Sequence, residues 1–234
     1  MSSVKSIFAS SLGKKYIMAI TGLGLTLFLF GHLGGNFLLF KSDGGEAFNA
    51  YAHFMKTTPI IWVSEIVIFS GLIFHIVDGI ALVFANKKAR PVDYAYKKGG
   101  SNQTSWASKK MGLLGTLLLI FLILHLANFF MKTKILPDDG SIPKYILADG
   151  TEVADLFLMV KVYFQNIIYV TIYVVCMIGL SFHLSHGVQS AFQSLGLKNK
   201  KVSPIIQKVG LLIAFIVPLL FASIPVYFYV TQSI

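Results

Sequence analysis

Apolar residues run along this chain in five long blocks, roughly 16–40, 60–85, 111–131, 162–192 and 206–230, separated by shorter polar stretches. At ~1.5 Å of rise per residue, each block is long enough as a helix to cross ~30 Å of hydrocarbon. Helices satisfy their own backbone hydrogen bonds where no water can do so. The pattern predicts an all-α membrane protein, a single domain over residues 1–234 built as a five-transmembrane-helix bundle. The longest connections, about 86–110 and 132–161, contain no separate soluble domain. In the second of these, Pro137, Asp138, Asp139, Gly140, Pro143 and the run "ADGTE" predict turns, with a short interfacial hairpin or helix among them. Pro218 and Pro225 are expected to kink the fifth span unless its neighbours satisfy the freed carbonyls.

Composition agrees: 55% of the 234 residues are hydrophobic and 13% charged. The net charge of +10 would suit nucleic acid or an acidic partner in a soluble protein. Here the distribution of the cations carries more meaning than their sum. Lys5, Lys14, Lys15, Lys87, Lys88, Arg90, Lys97, Lys98, Lys109, Lys110, Lys198, Lys200, Lys201 and Lys208 fall on one side of the spans, fourteen of the 20. Lys41, Lys56, Lys132, Lys134, Lys144 and Lys161 fall on the other. The positive-inside rule then predicts a cytoplasmic N-terminus and an outer C-terminus, with no nucleic-acid role. The basic second connection, "NKKARPVDYAYKKGGSNQTSWASKK", is suited to anionic lipid or a docked subunit. A signal-peptide reading of the N-terminus fails because the apolar run is too long and no A-x-A-like site follows. Cys176 has no partner cysteine, which excludes an internal disulfide and a four-cysteine metal site.

Five of the six histidines lie in or near the apolar runs, where an ionisable side chain is costly enough to mark function. Taken singly, each fits an interhelical hydrogen bond as well as a cofactor ligand. Their depths add more. His32 and His125 lie past the middle of two outward-running spans and share an outer level. His75 and His183 lie past the middle of two inward-running spans and share an inner one. Two imidazoles facing each other at one depth suit the axial positions of a haem iron, which then has no open coordination site and carries electrons. Gly71 and Gly79 flank His75, and Gly179 and Gly187 flank His183, each four residues away, so both histidines lie in a flat strip on their own helix face. A porphyrin needs that clearance; GxxxG-type helix packing is the rival explanation. The outer pair has Phe28 and Asn36, or Phe121 and Phe129, at the same offsets.

These features, with "GKKYIMAITGLGLTLFLFGHLGGN", "GLIFHIVDGI", "KKARPVDYAYK", "GLLGTLLLIFLILHLANFF" and "GLSFHLSHG" in order, resemble the cytochrome b membrane-anchor subunit of succinate dehydrogenase and fumarate reductase, in its five-helix, di-haem form. The resemblance covers essentially the whole length. It implies two b-type haems as cofactors, held by His32 with His125 and by His75 with His183. It also implies flavoprotein and iron–sulfur partner subunits on the cytoplasmic side of a bacterial inner membrane, and electron transfer to a quinone, by analogy menaquinone. Ser181 stands where some fumarate reductases of this class have a glutamate proposed to carry protons.

Glu65 and His53, both toward the outer side, are candidates for proton transfer to or from a quinone. Glu65 also suits an interfacial carboxylate reaching water, and His53 a solvated loop. Asp78 suits a hydrogen bond to a partner helix or tuning of the ligand shell, His186 contact with a haem propionate, a lipid headgroup or another helix, and Trp62 an aromatic belt, with Trp106 before the third span on the cytoplasmic side. The chain has no dinucleotide fingerprint and no cysteine cluster, so it would not oxidise succinate by itself. Two other readings remain: a cytochrome b of a hydrogenase or formate dehydrogenase, and a haem-free proton-coupled transporter.

Overall fold

A computed structural model describes residues 10–89, 106–136 and 140–231. Lys5, Arg90, Lys97, Lys98, Pro137, Asp138 and Asp139 lie outside the described residues. Five helices are long and apolar enough to cross a membrane. They are α1 (Ser11–Asn36, continued by a 3₁₀ turn Phe37–Phe40), α3 (Pro59–Ala89), α5 (Met111–Leu126, continued as a π-helix Ala127–Ile135), α7 (Ile167–Ser194) and α8 (Ser203–Thr231). Shorter helices α2 (Glu46–Thr57), α4 (Trp106–Lys109) and α6 (Leu156–Tyr163) fill the connections.

The chain is mostly helical but not wholly so. An antiparallel hairpin, β1 (Lys144–Ile146) and β2 (Glu152–Ala154), pairs Tyr145 with Val153 in the long connection. The fourth apolar block also breaks in two, with α6 ending before Phe164 and α7 starting at Ile167. The break is local: Asn166 turns its side-chain oxygen onto the Ile168 N–H at 2.8 Å and caps the new helix.

α1, α3, α5 and α7 form a ring in which each packs on its two neighbours, and α8 lies outside it against α7. Buried residues of α7 (Val170, Tyr173, Met177, Ser181, Leu184, Val188, Ala191) recur at intervals of three and four, and those of α8 (Ile206, Gly210, Ala214, Val217, Ile224, Phe228) at three, four or seven. That is the spacing of helices meshing along one seam. Gly210 lets Val188 come within 3.2 Å of where a Cβ would stand. Pro218 and Pro225, seven residues apart, lie on that same face and are fully buried, and α8 continues through both.

At one end of the ring, where α1, α5 and α8 begin, lie the lysines of the basic set that are described. The opposite, hairpin end is capped by α2, the hairpin and α6. Asn49, 1% exposed, ties this cap together: its Nδ2 donates to Asp155 Oδ1 at 2.9 Å and its Oδ1 accepts from the Phe157 N–H at 3.0 Å. Gly45, at φ +96°, opens α2 in a conformation that side chains resist, and Phe157 occupies the space a Cβ would need.

Candidate functional site

The ring geometry brings the four span histidines together as two diagonal pairs. His32 of α1 meets His125 of α5 with ring centroids 5.9 Å apart, and His75 of α3 meets His183 of α7 at 6.1 Å. The planes are steeply inclined in both pairs, at 83° and 63°. The two levels are separated along the bundle: His32 and His125 sit toward the hairpin end, His75 and His183 toward the basic end.

The donor set can be tested against a haem. Two imidazoles that bind one metal end-on at ~2.0 Å place their ring centres ~6 Å apart, and both pairs meet that span. No group of three or more His, Cys, Asp or Glu gathers for a metal among the described residues. Paired imidazoles suit a metal that brings its own equatorial ligands. The Nδ1 of His183 is buried without a hydrogen-bond partner, a costly state that leaves the inner pair incompletely satisfied by the protein alone.

The flanking glycines divide. Gly71 and Gly187 face open space, with nothing within 4 Å of a notional Cβ. Gly79 would meet Met18 at 3.5 Å, and Gly179 is approached by Leu117 of α5 at 2.8 Å, so at Gly179 the missing side chain serves helix packing. The outer pair sits among aromatic rings: Phe28 stacks on His32 at 5.3 Å, Phe121 on His125 at 5.7 Å, and Phe221 and Phe129 close in at 5.6 and 5.3 Å.

Two hydroxyls that the sequence reading passed over touch this arrangement. Thr21 Oγ1 lies 3.2 Å from His75 Nδ1, and Tyr173 Oη lies 3.3 Å from His125 Nδ1. One sign was available in the sequence: Thr21 precedes His32 by eleven residues, three helical turns, and so shares its face.

The other candidates are dispersed. Glu65 is paired with Lys134 of the π-helix. His53 lies half-buried on helix α2 rather than in a loop. The Asp149 carboxyl is held below its usual range chiefly by the Thr151 backbone N–H, with His53 contributing. Asp78 is buried with one carboxylate oxygen unpartnered, and the charge of Lys14 bears on it from α1. His186 is half-buried one turn beyond His183. Trp62 and Trp106 are 53% and 56% exposed near opposite ends of the spans, and Cys176 is buried.

Fold and site together define a multi-pass membrane protein with two imidazole pairs at two levels of the bundle. In sequence it is similar to the succinate dehydrogenase cytochrome b558 subunit of Bacillus subtilis (strain 168), 31% identical over 134 residues. The matched stretch covers 52% of this chain and 62% of that relative, less than two thirds of its length. No protein-family model matches the chain, and no solved structure matches it.

Proposed function

We propose that this chain is the di-haem cytochrome b anchor of a succinate:quinone oxidoreductase, one domain over residues 1–234 in a bacterial inner membrane. Its N-terminus and basic end would face the cytoplasm and its C-terminus the outside. His75 and His183 would hold the inner b-type haem, and His32 and His125 the outer one. When bound, such haems would supply one-electron carriers. The observation that carries this reading is the pair of diagonal imidazole contacts, 5.9 and 6.1 Å, at two levels of one bundle.

The chain's own residues set the conditions. The open faces of Gly71 and Gly187 leave room beside the inner ligands, and the Phe28, Phe121, Phe129 and Phe221 rings keep water from the outer ones. The lysines of the basic end would dock the iron–sulfur and flavoprotein subunits, which oxidise succinate and deliver electrons. Menaquinone, or another membrane quinone, would take them up. At the hairpin end, the Oε1 of Glu65 is occupied by Lys134 and its Oε2 remains to exchange a proton with that quinone. His53, on the same side, would be the second candidate for that proton transfer.

The test is a reduced-minus-oxidised spectrum with haem quantitation on protein gently purified from a haem-replete host. Two low-spin b-type haems per chain are expected, and a colourless protein would overturn the reading. His75→Ala and His183→Ala should each remove the same haem, and His32→Ala and His125→Ala the other. Co-purification of a hydrogenase or formate dehydrogenase instead of a succinate-oxidising flavoprotein would reassign the complex.

A further inference from the structure

A hydroxyl oxygen has one proton to give, and where that proton goes decides what the oxygen can do for a neighbour. Thr21 Oγ1 donates to the carbonyl of Ile17, one turn earlier in α1, at 2.7 Å; the Met18 carbonyl, at 3.4 Å, is a poor competitor. With its proton committed, the same oxygen can only accept from His75 Nδ1 at 3.2 Å. The imidazole must then carry its hydrogen on Nδ1, which leaves the Nε2 lone pair as its ligating atom. Gly22 completes the seat. A Cβ there would stand 3.3 Å from His75 Cε1 and 3.7 Å from Nδ1, close enough to press on this edge of the ring where it lies against α1.

We propose that Thr21, seated beside Gly22, is the positioning residue of the inner haem: it accepts a hydrogen bond from His75 Nδ1, fixes the Nε2-ligating tautomer and strengthens the imidazole as a donor to iron. The inference rests on the di-haem reading above. His183, across the pair, has its Nδ1 buried without a partner, so Thr21 supplies the one side-chain hydrogen bond that the inner ligands receive from the described residues. The direction of the effect follows from charge. An Nδ1–H that donates to oxygen makes Nε2 more basic and favours the oxidised, more positive iron.

The experiment is a redox titration of both haems in the intact, purified complex, with low-temperature electron paramagnetic resonance of the oxidised state. Thr21→Val keeps the shape and removes the acceptor. It should raise the midpoint potential of one haem, the one lost in His75→Ala, and alter its g-values while leaving the other haem in place. Thr21→Ser, which restores the hydroxyl, should return both readouts to wild-type values. Should Thr21→Val fail to assemble, Gly22→Ala, which crowds the ring edge, should perturb the same haem's g-values selectively. Unchanged potentials and g-values in Thr21→Val with two haems bound would overturn the role of Thr21 and leave the di-haem reading standing. Absence of haem from the wild-type protein would overturn both.

Discussion

Asn49 shows how much of this molecule hangs on single polar groups placed where water is absent. It is 1% exposed, yet it uses both ends of its amide, donating to Asp155 and accepting from the Phe157 N–H, and so joins α2 to the start of α6. A buried donor left without a partner costs about 1–3 kcal/mol. Asn49→Ala is therefore expected to lower the stability of the detergent-solubilised protein by about that amount. Thermal unfolding followed by circular dichroism would measure it. A mutant as stable as the parent would mean that water takes over the amide's role. Neither partner of Asn49 was visible in the sequence, since they lie 106 and 108 residues away.

Among the elements, α1 and α7 play complementary parts. α1 offers His32 at the hairpin-end level and Thr21 at the other; α7 offers His183 at the basic-end level and Tyr173 at the hairpin-end one. Eleven and ten residues of helix, ~15 Å of rise, separate the two members in each case. The Tyr173 ring is packed against Phe164 at 4.9 Å and Phe121 at 5.0 Å, so Tyr173→Phe should remove the phenol oxygen and keep the packing. For His125 to ligate through Nε2, that oxygen must accept from Nδ1. Tyr173→Phe is then expected to raise the potential of the haem that Thr21→Val leaves untouched. The shift should be some tens of mV, the one-electron counterpart of a hydrogen bond worth about 1 kcal/mol. The double mutant should show both shifts independently, since the sites share no partner; coupled shifts in a redox titration would contradict the separation of the two levels.

Spans and depths could be read directly because each is a matter of counting along the chain. A run of apolar residues has a length, and a histidine has a distance from the ends of its run. What could not be counted was direction around a helix and the closing of local turns. The break at Asn166 interrupts an apolar run because a side chain competes for the backbone. The π-helix after His125 depends on carbonyls reaching five residues ahead, as between Met131 and Leu136. Gly179 reads as a haem-clearing position along its own helix, and only the position of Leu117 on another helix reveals the close packing there.

At the scale of the whole molecule the charge is sorted by end. By their order along the sequence, fourteen of the 20 cations belong to connections of the basic end, while Asp43, Glu46, Glu65, Asp138, Asp139, Asp149, Glu152 and Asp155, eight of the ten carboxylates, belong to the other side's connections and span ends. Lysine and arginine near the ends of spans set orientation during insertion, and acidic residues contribute little, so the basic end should be retained in the cytoplasm. The buried Cys176 can be replaced by serine to leave a chain without reactive thiols, into which single cysteines are returned at exposed positions. Lys41→Cys, in the first connection on the hairpin side, should react with a membrane-impermeant maleimide in intact spheroplasts. Lys200→Cys, between α7 and α8, should react only after the membrane is opened. The opposite labelling would invert the molecule and put the lysines that we assign to docking on the wrong side for a cytoplasmic succinate-oxidising partner. Protection of Lys200→Cys that persists in opened membranes and is lifted by high salt would add that the basic end is covered by a partner held through charge.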